Sequence, residues 1–403
     1  MKKTFKQICR TAALFCVLPL LCGCGSDSPA PAEETETSTS IVTEVNGMRK
    51  IIADSSNVKQ LGRTHLMDET LWLAFSGTGA DFDYTGKKLD ITLKGDGSSL
   101  LPKDGENCAR VAIYVDGERV VDDLIDKPEE VYTVFESDET KTVNVKIVKL
   151  SETAMSTFGI KPIEIQPDEN IVPAAEKSHK IEFVGDSITC GYGVDDEVAE
   201  HHFHTSTEDV TKAYAYKTAQ ALDADYSMVS ISGYGVISGW TANPNNKVPN
   251  QTIPQYYTKL GFSYNKFANT TPPSALDWDF SKFVPEVIVV NLGTNDDSYC
   301  QGNAEKQKEY SEAYAEFLKV IREKNPNAEI FCTLGIMGQR LFPGVEDAVK
   351  IYTEATGDTK VHTFMFDAQD GSLGYAADWH PSAATHDKAS EALAAEIKSV
   401  MGW

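Results

Sequence analysis

From residue 179 to the C-terminus, short apolar runs alternate with amphipathic helical stretches, and this alternation restricts the chain more than any other feature. Lys180-Ile181-Glu182-Phe183-Val184, Asp225 to Ser230, Pro285 to Val290, Glu329 to Leu334 and Val361 to Phe366 each read as a strand. Several of these runs are nearly all apolar, as in strands buried on both faces. Between them, Tyr310, Tyr314, Phe317 and Ile321 form a helical stripe that stops at Asn325-Pro326. Leu393, Ile397 and Val400 share one face of a final helix from about Ala383. Such alternation predicts an α/β domain: a parallel sheet with helices on both faces.

Residues 41–165 show another pattern. Leu71-Trp72-Leu73-Ala74-Phe75, Leu89-Asp90-Ile91-Thr92-Leu93 and Val143-Asn144-Val145-Lys146-Ile147-Val148 are short segments rich in β-branched, aromatic and other apolar residues, the last two alternating apolar with polar. Ala109 to Val115, then Asp116-Gly117, then Glu118 to Val121 reads as a hairpin, because Asp-Gly suits the positive φ of a type I′ turn. No helical stripe interrupts them, so a β-sandwich of the jelly-roll type is expected. Pro167, Pro173 and several charges mark 166–178 as the connection to the second domain, 179–403.

The N-terminus reads as targeting and tether rather than fold. Lys2, Lys3, Lys6 and Arg10 precede an apolar run from Ala12 to Leu21. That run is shorter than the roughly 20 residues a spanning helix needs. A basic start, a short apolar core and then small residues indicate a secretory signal over 1–23. Leu21-Cys22-Gly23-Cys24 resembles the lipobox of bacterial lipoproteins, which implies acylation of Cys24 and attachment to a membrane through that lipid. The alternative is an ordinary cleaved signal with incidental cysteines. Residues 24–40 carry Ser, Thr, Pro, Ala and Glu with no large apolar side chain, and are expected to be a flexible linker. The expected location is therefore outside the cytoplasm, lipid-anchored to a bacterial membrane, the outer membrane or cell surface included.

Composition narrows the partners. Acidic side chains number 60 against 37 basic, a formal charge of −23 over 403 residues, which argues against a nucleic-acid partner. Beyond the N-terminal segment only Cys108, Cys190, Cys300 and Cys332 remain, without Cys-x-x-Cys spacing. No structural zinc site is expected from them, and buried free thiols are the simplest reading.

In parallel α/β sheets, reactive groups gather beyond the carboxyl ends of the strands. Phe183-Val184-Gly185-Asp186-Ser187 places a serine just after the first strand of the second domain. Ile231-Ser232-Gly233 follows the next strand, Gly293-Thr294-Asn295-Asp296 follows the third, and Asp378-Trp379-His380-Pro381 precedes the final helix. Each block alone is weak; their order and placement together point to acyl transfer. Serine needs a base to become a nucleophile, and histidine has a suitable pKa. Ser187 would attack an ester carbonyl while His380 takes and returns the proton. Three donors could hold the oxyanion: the Ser187 N–H at a helix start, the N–H of Gly233, and the side-chain amide of Asn295.

These four blocks resemble those of the SGNH (GDSL) hydrolase superfamily. Carried across by position, the resemblance implies Ser187 as nucleophile, Gly233 and Asn295 completing the oxyanion hole, and His380 as base. It also implies a flavodoxin-like sheet over about Lys180 to Trp403. With a β-sandwich in front, the arrangement is similar to carbohydrate esterase family 2. That similarity implies a jelly roll packed on the hydrolase domain and deacetylation of polysaccharides such as xylan and mannan, without metal or cofactor.

One position departs from the superfamily pattern. The Asp usually three residues before the His is replaced by Ala377, and Asp378 lies two residues before it. A residue preceding proline is biased towards extended backbone, and residues two apart in an extended chain share a side. Asp378 is therefore expected to orient His380, with Trp379 facing the other way. The alternative is a Ser–His dyad whose imidazole is held by a backbone carbonyl, or by Asp367 or Asp370.

Trp379, Tyr234 and Trp240 lie near these blocks and are candidates for stacking on sugars, with plain core packing as the competing role. His201, His202 and His204 lack helical i, i+4 spacing and read as a polar loop rather than metal ligands. Asp186 and Asp296 are expected to secure turns. The leading expectation is a serine esterase acting through an acyl-enzyme on an acetylated polysaccharide or oligosaccharide. An O-acyl esterase for sialate or lipid, or a non-catalytic glycan-binding surface lipoprotein, are the alternatives on the same fold.

Overall fold

The structure is a computed structural model that describes residues 43–45, 47–100 and 107–403. The expected signal 1–23, Cys24 and the linker 24–40 lie outside the described residues. The first region is antiparallel β. Its strands are β1 (Thr43–Val45), β2 (Met48–Ile51), β3 (Lys59–Leu61), β4 (Thr64–Met67), β5 (Thr70–Leu73) and β6 (Gly79–Gly95). They continue as β7 (Arg110–Val115), β8 (Glu118–Leu124), β9 (Glu129–Lys149), β10 (Phe158–Ile160), β11 (Ile163–Ile165) and β12 (Asn170–Pro173). One sheet runs β1-β2-β11; the other runs β4-β5-β10-β6-β9-β7-β8, with β3 and β12 added along β6. Ile51, Ile163 and Ile165 of the small sheet share a buried core with Leu71, Phe82, Ile91, Ile113 and Val145 of the large one.

The expected hairpin forms: Asp116 and Gly117 have φ of 49° and 83°, and Val115 pairs with Glu118. Two differences from the sequence reading stand out. The segments 89–93 and 143–148 are parts of the long strands β6 and β9, which pair antiparallel with register shifts at Gly86/Lys88 and Leu89/Asp90. Such bulges bend a strand. Residues 138–142 of β9 are all exposed, so no apolar alternation marked them. Secondly, the expected connection 166–178 contains β12, laid antiparallel on Phe82–Thr85, so the chain leaves this region only after Pro173.

The second region contains β13 (His179–Gly185), α1 (Ser187–Cys190), α2 (Tyr214–Ala221), β14 (Ala224–Ser230), β15 (Val287–Asn291) and α3 (Thr294–Cys300). It ends with α4 (Ala304–Lys324), β16 (Glu329–Ile336), α5 (Phe342–Thr356), β17 (Val361–Ala368) and α6 (Ala383–Met401). The five strands are parallel in the order β14-β13-β15-β16-β17, the 2-1-3-4-5 order of a flavodoxin-like sheet. Successive residues serve opposite cores. Ile288 and Val290 pack with Tyr310, Tyr314, Phe317 and Ile321 of α4; Val287 and Val289 pack with Tyr214 of α2 and Leu393 and Ile397 of α6. That is why these runs show no polar alternation.

The two regions share their cores. Leu61, Ala112, Val148 and Leu150 belong to the apolar cluster of Ile181, Phe183 and Met228, and Trp72 packs with Leu260, Phe267 and Trp278. Arg63, wholly buried, donates to the carbonyls of Tyr257 at 2.5 Å and Lys259 at 2.7 Å and to Glu182 at 3.1 Å.

Candidate active site

Strands β14 and β15 flank β13 on opposite sides, so the chain turns opposite ways after β13 and β14, and a crevice opens beyond their carboxyl ends. Ser187 begins α1 directly after β13. Asp186 caps that turn, its side chain accepting the Ile188 N–H at 3.1 Å.

Ser187 Oγ lies 2.9 Å from His380 Nε2. Nδ1 of the same ring lies 3.2 Å from the Ala377 carbonyl and 3.1 Å from the Asp378 carbonyl. Carbonyl oxygens only accept, so Nδ1 carries the hydrogen and Nε2 is left to accept from the serine. Burial lowers the His380 pKa to about 4, partly offset by the two carbonyl acceptors and the charge of Asp378. The imidazole is therefore neutral near pH 7 and able to take a proton.

The carboxylate of Asp378 does not orient His380, contrary to the sequence expectation. His380 itself is extended, as expected before proline, but the two residues ahead of it are not: Asp378 and Trp379 both adopt left-handed backbone, with φ of 50° and 61°. The carboxylate accepts instead from Tyr192 Oη at 2.9 Å, the Phe203 N–H at 3.0 Å and His202 Nδ1 at 3.1 Å. The loop before Phe203 also grips the turn, since Asp378 N–H donates to the His201 carbonyl at 2.9 Å and Trp379 N–H to Ala199 at 3.2 Å. Tyr192 stacks on the His380 ring at 4.1 Å. Asp367 pairs with Lys388 at 2.8 Å and Asp370 accepts from Ser372 N–H at 2.9 Å, so neither serves the imidazole. The geometry is that of a dyad held by backbone carbonyls.

Gly233 follows β14 with φ of 79°, and a Cβ built there meets nothing within 4 Å; its backbone conformation, not lack of space, calls for glycine. Asn295, in the first turn of α3, donates from Nδ2 to Asp186 at 3.2 Å and to the Tyr234 carbonyl at 2.9 Å. Its amide is thus already engaged, and an oxyanion would have to share or displace one of those bonds. Burial pushes the Asp186 carboxyl up to about 7, with the charge of Asp296 adding to it. Asp296, pushed by burial to about 6, accepts the N–H groups of Val236, Ile237 and Ser238, and so fixes the loop beyond Gly233.

Ser187, Gly233, Asn295 and His380 all line one cavity of about 720 Å³. Trp240 and Tyr264 also line it and are 61% and 65% exposed, presenting aromatic faces near its mouth. Tyr234 lines it but is buried against Tyr256 and Phe262. Trp379 is not among the lining residues; the left-handed turn directs it onto Tyr375, at 5.2 Å between ring centroids. Among the described residues no group of three or more His, Cys, Asp or Glu side chains is placed to hold a metal ion. Among the lining residues that escaped the sequence reading, Tyr192 and Glu152 matter most to the site. Tyr192 had a faint signal, an aromatic between Gly191 and Gly193 just after the serine. Glu152 had none, because it comes from the β region.

Residues 60–174 match the Carbohydrate esterase 2 N-terminal family, and residues 183–388 match the GDSL-like Lipase/Acylhydrolase family. The cellulase/esterase CelE of Acetivibrio thermocellus is 30% identical over 334 residues, covering 82% of this chain; the chain spans 38% of the length of CelE. An acetylxylan esterase / glucomannan deacetylase of Cellvibrio japonicus is 22% identical over 355 residues, 88% of this chain and 91% of that protein. A solved family two carbohydrate esterase from Clostridium thermocellum in complex with cellohexaose is similar at a TM-score of 0.72 and 28% identity, over 86% of this chain and 99% of that one. The match over 183–388 takes in just over half of the sequence and includes both Ser187 and His380, and the chain belongs to the GDSL-like Lipase/Acylhydrolase family.

Proposed function

We propose that this chain is a serine esterase that removes O-acetyl groups from polysaccharides of the xylan or mannan type through an acyl-enzyme. The observation that carries the reading is the 2.9 Å contact between Ser187 Oγ and a neutral His380 Nε2, open to a cavity. Ser187 attacks the acetyl carbonyl as Nε2 takes its proton, and the imidazolium is stabilised by the Ala377 and Asp378 carbonyls. The backbone N–H groups of Ser187 and Gly233 receive the oxyanion, with the Asn295 amide as third donor. His380 then protonates the departing sugar oxygen; a water that gives its proton to His380 attacks the acetyl-serine, acetate leaves, and Ser187 Oγ takes the proton back. The relatives named for acetylxylan and glucomannan deacetylation support the substrate class. The exposed faces of Trp240 and Tyr264 suit a sugar ring.

Acetate release from acetylated xylan and glucomannan tests this. Ser187→Ala should abolish it while leaving the melting temperature unchanged; retained release would remove Ser187 as nucleophile. Hydrolysis confined to sialate O-acetyl or long-chain esters would move the substrate class. Glycan binding without any ester hydrolysis would favour a non-catalytic surface protein.

We also propose that the protein is tethered to a bacterial membrane by acylation of Cys24. The support is the basic start, the short apolar run and Leu21-Cys22-Gly23-Cys24, followed by a polar tether. Cys24→Ser should shift the protein from the membrane fraction to the soluble fraction. An unchanged distribution would count against the anchor.

A further inference from the structure

The turn that follows β9 leaves the β region and enters the wall of the catalytic cavity, where Glu152, Ala154 and Met155 are lining residues. It is fastened on several sides. Lys149, with no exposed surface, donates from Nζ to the carbonyls of Ser151 and Glu152, each at 2.7 Å. Glu152 N–H donates to the buried carboxyl of Glu208 at 2.7 Å, and Val210 N–H to the Leu150 carbonyl at 3.1 Å. The Ala154 carbonyl accepts from Tyr264 N–H at 2.9 Å, and the Met155 carbonyl from Asn265 Nδ2 at 2.7 Å.

Held this way, the Glu152 side chain, 1% exposed, accepts the backbone N–H of Ser232 at 3.0 Å. Ser232 immediately precedes Gly233 and also lines the cavity. On the far side of the turn, the Gly233 carbonyl accepts the Trp240 N–H at 2.8 Å. The strand-end turn carrying Gly233 is therefore clamped at one end by the β region and at the other by its own loop.

We propose that Glu152 is a positioning residue for ester hydrolysis: by holding Ser232 N–H it fixes the following peptide, so that Gly233 N–H faces the acyl oxygen on Ser187. The inference rests on the proposed esterase reading. It makes the β region part of the catalytic apparatus rather than a separable binding module. What the role requires is an acceptor, not a charge. A full negative charge beside the hole would oppose the developing oxyanion, and burial in fact raises the Glu152 pKa.

The test compares Glu152→Gln with Glu152→Ala in the full chain, using p-nitrophenyl acetate turnover and deuterium uptake of the peptide spanning Ile231 to Tyr234. Gln keeps an acceptor and should stay within about 3-fold of the parent in kcat, with unchanged uptake. Ala should lower kcat roughly 10- to 100-fold, towards the loss expected for a missing oxyanion donor, with KM within about 3-fold. Its uptake should rise in that peptide alone. Ala with near-parental kcat and uptake overturns the proposal. So does Gln failing as badly as Ala, or uptake rising across the whole protein. The esterase reading fails separately, through a parent that hydrolyses no ester; the uptake comparison still decides whether Glu152 holds the turn.

Discussion

The Asp378 carbonyl, and not the Asp378 carboxylate, meets His380: its oxygen lies 3.1 Å from Nδ1. Left-handed backbone at a non-glycine residue costs of order 1–3 kcal/mol, and two such residues stand in succession here, Asp378 and Trp379. The bonds from the Ala199–Phe203 loop and from Tyr192 hold that turn in place, and the turn in turn converges two carbonyls on Nδ1. Asp378 thus acts on the imidazole through backbone geometry and through the Tyr192 ring. Asp378→Asn, which still accepts from Phe203 and Tyr192, should lower kcat for acetate release only a few-fold. Asp378→Ala should lower it roughly 10- to 100-fold, as for other misplaced catalytic groups. A carboxylate bonded to Nδ1 would give a different pattern, with Asn costing about 10⁴-fold through the wrong tautomer. A loss of that size in the Asn variant would refute the backbone-held dyad.

The ionisation of His380 sets the acid side of the rate profile. The active form is the neutral imidazole, so kcat/KM rises with pH through the pKa of the free enzyme and then levels. Burial brings that pKa to about 4, against ~6.5 for an unperturbed histidine. No rise in kcat/KM is therefore expected between about pH 5.5 and 7.5, and the rise should fall near pH 4. Initial rates on p-nitrophenyl acetate check this, and an upward inflection near 6.5 would show a solvated imidazole instead. Stability is a poorer gauge because the signs conflict. His380, and His386 at about 3, bind fewer protons folded than unfolded, so their contributions grow as pH rises to 6.5 from about 4 and about 3 respectively. Asp186 and Asp296 bind more protons folded, and theirs is lost as pH rises towards about 7 and 6.

What the sequence made legible follows from what local chemistry controls. Strands β13 to β17 could be read because both faces are buried, which leaves apolar runs with few interruptions. Ser187, Gly233 and Asn295 could be located because each stands one turn beyond a strand end, where a parallel sheet gathers its reactive groups. The direction of Asp378 could not be read: His380 is extended, as its proline neighbour favours, but Asp378 and Trp379 before it are left-handed, and a loop some 175 residues away holds the Asp378 carboxylate. The same turn sends Trp379 onto Tyr375 and away from the cavity lining. Glu152 was invisible for a related reason, since its partner Ser232 lies 80 positions further on and in another layer. The full length of β9 was hidden because its exposed middle obeys no burial pattern.

The same dependence on distant partners should be visible in stability at Arg63. Its guanidinium joins Glu182 in β13 to the carbonyls of Tyr257 and Lys259, and lies 5.2–5.3 Å from the ring centroids of Tyr257, Trp278 and Phe280. Both members of the ion pair are buried, with side-chain exposures of 0% and 2%. Removing the cation strands a buried carboxylate and two carbonyls, so Arg63→Ala should cost about 3–5 kcal/mol in urea unfolding. Replacing both charges, as in Arg63→Met with Glu182→Leu, removes the stranded charge and should recover most of that loss, because a buried pair gains little over well-packed apolar groups. A double variant as unstable as Arg63→Ala would mean that the two carbonyl bonds, rather than the carboxylate, are what Arg63 serves. An Arg63→Ala variant within about 1 kcal/mol of the parent, the range of a surface ion pair, would mean that water reaches this seam.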